Sequence, residues 1–497
     1  MSRVAFAILA CVLAATVAGC RLGPEYERPD ANPPVAFRFA EGGPSASEAD
    51  SLVEGPPEGS DAATFGDLDF WQVYADAMLV GYIREALVAS PTALIATERV
   101  LQARAAWEFA FGAQLPQVGV GGGWDSIGIS QNGFPKFPNE NVGSEGTLGG
   151  NFSWDADLFG RLASATEARR QEYLASEANR RAVYTALGAD VAKAYLLVLD
   201  LDRRIDVARQ TRETRRKSLE LVTLRRDRGV ASAMDVRQAE TLLYQASAAV
   251  PIFEGSLGEA ENALSLLLGR NPGPIERGKP IYEQVMRAEL PPGLPSELLG
   301  RRPDLVAAER NLEATNARIG EAKAQFFPTI GLTAVGGFQS DALSNLFNGS
   351  SAFWTAGVSA LQPVFTGGRL EANLRGAEAR QREATLGYIL AVQRAFREVS
   401  DGLVAYRYAR EYRIEQDRLT STLEDQARLS QLRYKGGITS YLEVLDSERL
   451  YFQSELERSN AWRLEFEAVV RLYRALGGGW RLPDGPPGGI AREEVAP

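Results

Sequence analysis

The chain contains no histidine, and its only two cysteines, Cys11 and Cys20, lie within the first twenty residues. Without histidine it cannot build a Ser-His-Asp triad or a zinc site with imidazole ligands. Beyond Cys20 it has no thiol nucleophile, no disulfide and no cysteine metal site. Cysteine depletion of this kind fits an oxidising compartment, although sequence drift would leave the same pattern.

The chain also lacks an excess of basic residues. Lys and Arg number 54 against 64 Asp and Glu, which gives a net charge of −10. Nucleic-acid binders normally present a basic face, so we expect no nucleic-acid partner. No phosphate-binding loop of the GxxxxGK[ST] type occurs either. We expect a protein that is not an enzyme and carries no cofactor and no resident metal.

The N-terminus predicts export. Arg3 precedes an apolar run from Val4 to Val17, which has the length of a signal-peptide core and is short for a membrane helix. Small residues before Cys20 resemble a bacterial lipobox, so residues 1–19 are predicted to be a signal peptide and Cys20 to be lipidated. The alternative is an ordinary signal peptide with a chance cysteine. Arg21, rather than aspartate, resembles lipoproteins sorted to the outer membrane.

The rest of the chain reads as a tether followed by two similar repeats. Residues 20–66 are rich in Pro, Gly, Ser and acidic residues and predict a lipidated tether. The predicted first repeat, 67–270, comprises a helix over 67–113 kinked at Pro91, period-two segments at 117–130 and 145–158, a very long helix over 161–228, and helical patterns at 234–250 and 257–269.

A connector, 271–300, precedes the second repeat, 301–476. That repeat has a helix starting at Pro303, period-two segments at 329–339 and 353–365, a long helix over 369–435 and a last helix that ends before the glycines at 477–479. Residues 477–497 are expected to form a loose tail. The period of about 210 residues is too long for a solenoid and indicates an internal duplication.

The period-two segments have the glycine and aromatic content of membrane β-strands, although soluble hairpins would show the same alternation. After the signal peptide we find no run of 18 apolar residues, so any membrane crossing must use strands. Four strands cannot close a barrel, so membrane strands would have to be pooled between copies of the chain. The predicted fold class is mixed α and β.

One turn occurs twice, as RYKGGITSYLEVLDSERL at 433–450 and more loosely as RRDRGVASAMDVRQAETL at 225–242. Glycine ends a helix cheaply, and Ser followed by an acidic residue three positions on predicts a capping box. In the second copy these residues are Gly436, Gly437, Ser440 and Glu443, and in the weaker first copy they are Gly229, Ser232 and Asp235. Well-capped hairpins alone would explain both turns.

The sequence resembles outer-membrane efflux factors of the TolC type, in the NodT- and OprM-like lipoprotein branch. The resemblance rests on three stretches and on the duplicated turn: GCRLGPEYERP at 19–29, RRPDL at 301–305 with Ala308, Glu309, Phe327 and Pro328, and QPVFTGGRL at 362–370. It implies a homotrimer with a twelve-strand transmembrane β-barrel and a periplasmic α-helical barrel, with the connector 271–300 in a mixed equatorial belt. It also implies a passive exit duct for small molecules such as drugs.

The implied partners are a periplasmic adaptor, an inner-membrane transporter of the resistance–nodulation–division type and outer-membrane lipid. Glu443 and Asp446 share a helix face and, by resemblance, line the periplasmic gate as carboxylate rings. By the same resemblance Asp235 and Tyr434 hold neighbouring hairpins together, and both tip turns meet the adaptor. Thr439 stands where some members have a basic residue, which leaves Arg237 or Arg433 to take its place.

Two other functions share parts of this pattern. The outer component of a type I protein-secretion system would have the same fold, and a structural coiled-coil lipoprotein would have no pore. The period-two segments and the QPVFTGGRL turn disfavour the second. The lack of histidine and the presence of only four methionines give no sign of a copper-handling surface.

Overall fold

A computed structural model describes residues 22–32, 34, 37, 65–128, 142–285 and 295–479. The predicted signal peptide, the lipidation site Cys20 and most of the tether lie outside these residues. The same is true of the tail after Gly479 and of the ends of two predicted segments, residues 129–130 and 286–294.

The first repeat begins with three helices, α1 (Phe70–Val73), α2 (Ala77–Ala89) and α3 (Pro91–Gly112). The predicted kink at Pro91 is a break at Ser90, with α2 and α3 bent by 41°. Strands β1 (Gln117–Gly128) and β2 (Val142–Ala156) follow, then α4 (Arg161–Asp227) and α5 (Ala233–Leu268). At about 1.5 Å per residue, α4 with its 67 residues is about 100 Å long.

The second repeat has the same order. Helices α6 (Pro295–Arg301) and α7 (Pro303–Ala324) precede strands β3 (Thr329–Ser340) and β4 (Ala352–Leu361), and helices α8 (Arg369–Lys435) and α9 (Tyr441–Ala475) follow. Helix α8 has 67 residues, as α4 has. Pro303 is the first residue of α7, as predicted. The N–H at the first position of a helix has no acceptor within the helix, so its absence in proline costs nothing there.

One prediction about the first repeat was wrong. The patterns at 234–250 and 257–269 are a single helix, α5, which contains Pro251 in its interior. The helix continues because its buried side chains lie on both sides of the proline, among them Val250, Ala260 and Leu264. Tertiary packing of this kind outweighs a local cost of about 3 kcal/mol for an interior proline.

The four strands form one antiparallel sheet in the order β1-β2-β3-β4. Gln117 pairs with Ser153, Gly146 with Ser340 and Thr329 with Leu361. The mixed fold, the duplicated plan and the four strands per chain are therefore as predicted. Among the described residues, strands β1 and β4 each have one edge without a partner strand.

The chain divides into two compact units, and each repeat contributes to both. The first unit contains the described residues before Asp30 together with Val100–Ser176 and Ala307–Tyr388, and therefore the whole sheet. The second contains the described residues of Asp30–Arg99, Glu177–Val306 and Ile389–Pro497, and therefore both helical turns.

Within the described ranges, helix α4 has an 18-residue window of mean hydropathy 1.4 that is long and apolar enough to cross a membrane. The bent pair of α2 and α3 passes the same test if it is taken as one span. The α4 window is 61 % buried inside the protein, as in the core helix of a soluble domain. Burial between helices therefore accounts for the apolar character of this window.

Candidate functional site at the two helical turns

The turn between α4 and α5 ends one helix and caps the next. Gly229 takes a left-handed conformation with φ of 76°. Its N–H donates to the carbonyl of Arg226 at 2.8 Å, and the N–H of Val230 donates to the carbonyl of Arg225 at 2.8 Å. This is a Schellman motif, which supplies donors to the last carbonyls of the helix.

The turn between α8 and α9 repeats that backbone geometry. Gly437 has φ of 73°, while Gly436 has no positive φ, so only the second glycine of the predicted pair takes the left-handed conformation. The N–H of Gly437 donates to the carbonyl of Tyr434 at 3.0 Å, and that of Ile438 to the carbonyl of Arg433 at 2.9 Å. Each copy of the duplicated sequence therefore needs one glycine, at the position with the left-handed conformation.

The capping boxes are distributed differently from the prediction. The Ser232 hydroxyl accepts from the N–H of Asp235 at 3.1 Å, and the Asp235 carboxylate accepts from the N–H of Ser232 at 2.8 Å. The Ser440 side chain makes no capping bond, so the box predicted for the second turn was wrong. The Glu443 carboxylate instead accepts from the Thr439 hydroxyl and from Arg433 Nη1, the latter at 2.8 Å. A guanidinium is a stronger donor to a carboxylate than a backbone N–H is.

The two acidic residues assigned to the gate each face an arginine of their own chain. Glu443 pairs with Arg433 as just described, and Asp446 accepts from Arg449 at 2.7 Å. The side chains of both pairs are between 39 % and 56 % exposed, so each pair stabilises the turn by roughly 0–1 kcal/mol. Arg237 and Arg433 were the two candidates to replace the basic residue that some family members have at the position of Thr439. Arg433 pairs with Glu443, whereas Arg237 pairs with Glu240 at 2.6 Å.

Tyr434 and Asp235 lie where the two hairpins of one chain pack together. Tyr434 is 9 % exposed and belongs to an apolar cluster drawn from all four helices: Val222, Val236, Ala239, Tyr434, Tyr441 and Val444. The Arg225 guanidinium lies 4.5 Å from the centre of the Tyr434 ring, and the Tyr441 ring lies 5.2 Å from it. Burial raises the pKa of Tyr434, Arg225 lowers it, and Asp235 raises it. Tyr434 and Asp235 thus lie at the same interface between the two hairpins.

Two buried charged residues further from the turn, Arg215 and Glu448, were not predicted. Arg215 is 2 % exposed and donates to the carbonyl of Leu242 at 2.7 Å. It also lies within 3.5 Å of the carbonyl of Glu448. The Glu448 carboxylate accepts from Gln431 at 2.6 Å. Burial raises the pKa of Glu448 against the opposing effects of Gln431 and Arg215, so removal from water is the larger influence.

Three arginines of α4 bridge to the second hairpin at intervals of about three helical turns. Arg203 donates to Glu455 at 3.2 Å, Arg215 lies over the Phe452 ring at 4.9 Å, and Arg225 donates to the carbonyl of Tyr434 at 3.4 Å. Their spacings of 12 and 10 residues along α4 were the available sequence signal. In the sequence these arginines look the same as the solvated charged residues that most long helices carry.

The outer surface of both turns carries apolar side chains. Val230 and Met234 are each 65 % exposed at the first turn, and Ile438 and Leu442 are 73 % and 63 % exposed at the second. Exposed large apolar residues that cluster on a polar surface are typical of contact sites for another protein. Among the residues that the structure describes, no group of three or more His, Cys, Asp or Glu side chains is placed to hold a metal ion.

Comparisons with known proteins identify the family. The family model of the outer membrane efflux protein matches residues 82–270 and 294–478, so that each match spans most of one repeat. Outer membrane protein OprJ of Pseudomonas aeruginosa is 34 % identical over 489 residues, covering 97 % of each chain. The cation efflux system protein CusC of Escherichia coli is 33 % identical, covering 95 % of this chain and 99 % of its own.

The fold agrees with the sequence match. The MtrE outer membrane channel of Neisseria gonorrhoeae, solved in an open state, superposes with a TM-score of 0.82 at 31 % identity, covering 93 % of this chain and 99 % of its own. The predicted resemblance and the predicted role as an outer-membrane efflux component are confirmed. The chain therefore belongs to the outer membrane efflux protein family, whose members are transport channels of the outer membrane.

Proposed function

We propose that three copies of this chain form the passive exit duct of a tripartite efflux pump. The observation that carries the proposal is the four-stranded sheet with its two open edges. Its edge strands expose apolar side chains, including Val118 and Val120 on β1 and Trp354 and Val358 on β4, each more than 70 % exposed. Lipid tolerates no open sheet edge, so β1 of one copy must pair with β4 of another.

Three copies joined in this way would give a twelve-strand barrel. An eight-strand barrel from two copies would be filled by its own side chains, whereas twelve strands leave room for a channel. Open edges on a sheet of four strands therefore favour a trimeric duct over a dimer. They also disfavour a coiled-coil lipoprotein without a pore.

We place the periplasmic gate at the second turn. In a trimer Glu443 and Asp446, three residues apart on α9, would form two stacked rings of carboxylates. Arg433 and Arg449 neutralise these carboxylates within one chain. The proposed gate therefore opens by moving the hairpin on its apolar cluster, with Tyr434 and Asp235 at the contact, rather than by breaking one strong ion pair.

The two turns are also the proposed contact with a periplasmic adaptor. Their exposed apolar residues Val230, Met234, Ile438 and Leu442 offer a surface that another protein would bury. Gly229, Ser232, Gly436, Gly437 and Ser440 shape this surface. The adaptor would link the duct to an inner-membrane transporter of the resistance–nodulation–division type, and a lipid on Cys20 would anchor the chain.

For the cargo we propose small molecules chosen by the transporter, since a passive duct has no means of its own to select them. CusC is named for cation efflux. This chain has the same fold but contains only four methionines and no histidine. Methionine and histidine are the ligands that a copper path would use. The alternative, a type I protein-secretion component, has no support in the names of OprJ, CusC or MtrE.

Single-channel recording in planar bilayers tests the duct and its gate together. Purified protein should conduct, and Glu443→Ala with Asp446→Ala should raise the open probability and reduce cation selectivity. The matched control is Glu415→Ala with Asp425→Ala, which removes two exposed carboxylates of α8 that also pair with arginines three residues away. A protein that never conducts, with or without the gate substitutions, would refute the duct.

A further inference from the structure

Two motifs of the sequence that play no part in the gate meet in the first compact unit. The stretch 22–30 forms neither helix nor strand and contacts helix α7 along its length. Arg28 Nε donates to Glu309 Oε1 at 2.6 Å and Arg28 Nη2 donates to Glu309 Oε2 at 2.6 Å, which makes a two-pronged ion pair. Tyr26 adds a hydroxyl bond to Glu309 Oε1 at 3.2 Å.

The contact continues along one face of the helix. The side-chain amide of Asn316 donates to the carbonyl of Pro24 at 2.9 Å. One helical turn further on, the backbones of Gly23 and Gly320 meet so closely that a Cβ on Gly320 would lie 3.1 Å from Gly23 Cα and 2.9 Å from Ser164 Oγ. A Cβ at either position would therefore push the two backbones apart by a few tenths of an ångström.

Residues 23–28 run antiparallel to helix α7, and the two segments between the contacts have the same length. From Gly23 to Arg28 an extended chain rises about 16 Å, at about 3.3 Å per residue. From Gly320 back to Glu309 a helix also spans about 16 Å, at about 1.5 Å per residue. We name residues 23–28 the strap. Its N-terminal end points toward the end of α7, after which strand β3 begins at Thr329.

The anchor of the strap is shielded from water on the Glu309 side, while the Arg28 side chain is 51 % exposed. The Glu309 side chain is 11 % exposed. Its surroundings include Tyr388, which is 1 % exposed and whose hydroxyl has no hydrogen-bond partner among the described residues. The bond to Glu309 raises the pKa of Arg28, and burial followed by the charge of Glu309 raises the pKa of Tyr26. Because one partner is buried and the bond is two-pronged, we expect this pair to be worth more than a pair between two exposed side chains, although solvent screens its Arg28 end.

We propose that the strap is a built-in positioning device. By docking on α7 it holds the N-terminal end of the mature chain at the sheet end of that helix, so that the lipid expected on Cys20 enters the same membrane as the strands. Cys20 is three residues before Gly23, so covalent geometry keeps their Cα atoms within about 11 Å. The docked strap would thus replace a long flexible tether with a fixed attachment height.

The inference rests on the lipidation proposed above but not on conduction, so its test uses other readouts. Glu309→Gln keeps the shape of the side chain and removes its charge. We expect limited proteolysis within residues 23–28 to become about 10- to 100-fold faster, since an ion pair with two charge-assisted bonds is lost. The fraction of protein inserted in the outer membrane should fall in parallel, while channels that do insert should conduct normally.

Three further variants separate the strap from general damage. Arg28→Glu combined with Glu309→Arg should restore slow cleavage and insertion, because the pair is reformed with its charges exchanged. Gly320→Ala should release the strap, whereas Gly387→Ala, in a helix of the same unit with open space around it, should not. Glu108→Gln, which breaks an exposed ion pair with Arg104, is the matched charge control.

Several results would overturn the proposal. Cleavage in Glu309→Gln at the wild-type rate would show that the pair does not hold the strap. A released strap with unchanged membrane insertion would refute the positioning role, and so would mass spectrometry that finds no acyl group on Cys20 of the wild type. A wild-type protein that inserts but never conducts would count against the proposed duct alone, because cleavage and insertion are measured without conduction.

Discussion

The apolar cluster at the turns should hold the two hairpins together more strongly than the ion pairs around it. Tyr434 is 9 % exposed, and truncating a buried aromatic residue to alanine costs about 3–5 kcal/mol. The guanidinium of Arg225 over its ring adds about 0.5–1 kcal/mol. Removing Arg433 breaks an ion pair whose partners are 53 % and 39 % exposed, which is worth about 0.2–1 kcal/mol.

These magnitudes predict different effects on the gate. Since 1.4 kcal/mol is a factor of ten in an equilibrium constant, Tyr434→Ala should favour separated hairpins by more than about 100-fold, and Arg433→Ala by about fivefold at most. The assay is open probability in planar bilayers, supported by amide hydrogen exchange over residues 434–446. Tyr434→Phe, which keeps the ring, is the matched control and should stay close to wild type.

If Arg433→Ala opened the channel as much as Tyr434→Ala does, the ion pair rather than the apolar cluster would hold the hairpins together. The apolar cluster would also be ruled out if Tyr434→Ala left both the open probability and the hydrogen exchange unchanged. An effect of Tyr434→Phe as large as that of the alanine variant would show that the hydroxyl, rather than the buried ring, holds the hairpins together.

Three further predictions concern single residues at the turns and in the helices next to them. Gly437→Ala should cost about 1–2 kcal/mol from backbone conformation alone, since no atom lies within 4 Å of the added Cβ, and should speed exchange of the next amide about 5- to 30-fold. Gly436→Ala, its neighbour without a positive φ, should cost nothing or stabilise the turn by less than about 1 kcal/mol. Ser232→Ala should cost about 1 kcal/mol in hydrogen-exchange stability of α5, and Ser440→Ala only a few tenths, as its hydroxyl makes no capping bond. Burial raises the pKa of Glu448 in the folded protein. The folded state is therefore destabilised by ionisation of Glu448 as the pH rises from about 4 through that raised pKa. Glu448→Gln should therefore raise Tm at neutral pH and leave Tm unchanged near pH 4; an equal shift at both would refute this assignment.

Much of the fold followed from patterns that depend on local physics. The bounds of α8, Arg369–Lys435, and the start of α7 at Pro303 agree with the prediction because helix formers, proline and terminal glycines act over one or two turns. The number of strands was predicted correctly and their bounds approximately. Alternation of side chains shows that a strand is present but does not define the residue at which it ends. The break predicted near Pro251 was wrong because packing on both sides of the proline outweighed the local preference.

The sequence by itself determined the repeat, the four strands and the residue that must be glycine in each turn, since a left-handed φ and an alternating face are properties of short stretches. Which side chains meet across the chain was decided only by the tertiary structure. The capping box is complete at Ser232 and absent at Ser440 because Arg433 takes the Glu443 carboxylate. The ion pair between Arg28 and Glu309 joins residues 281 positions apart, and no local pattern carries information over that distance.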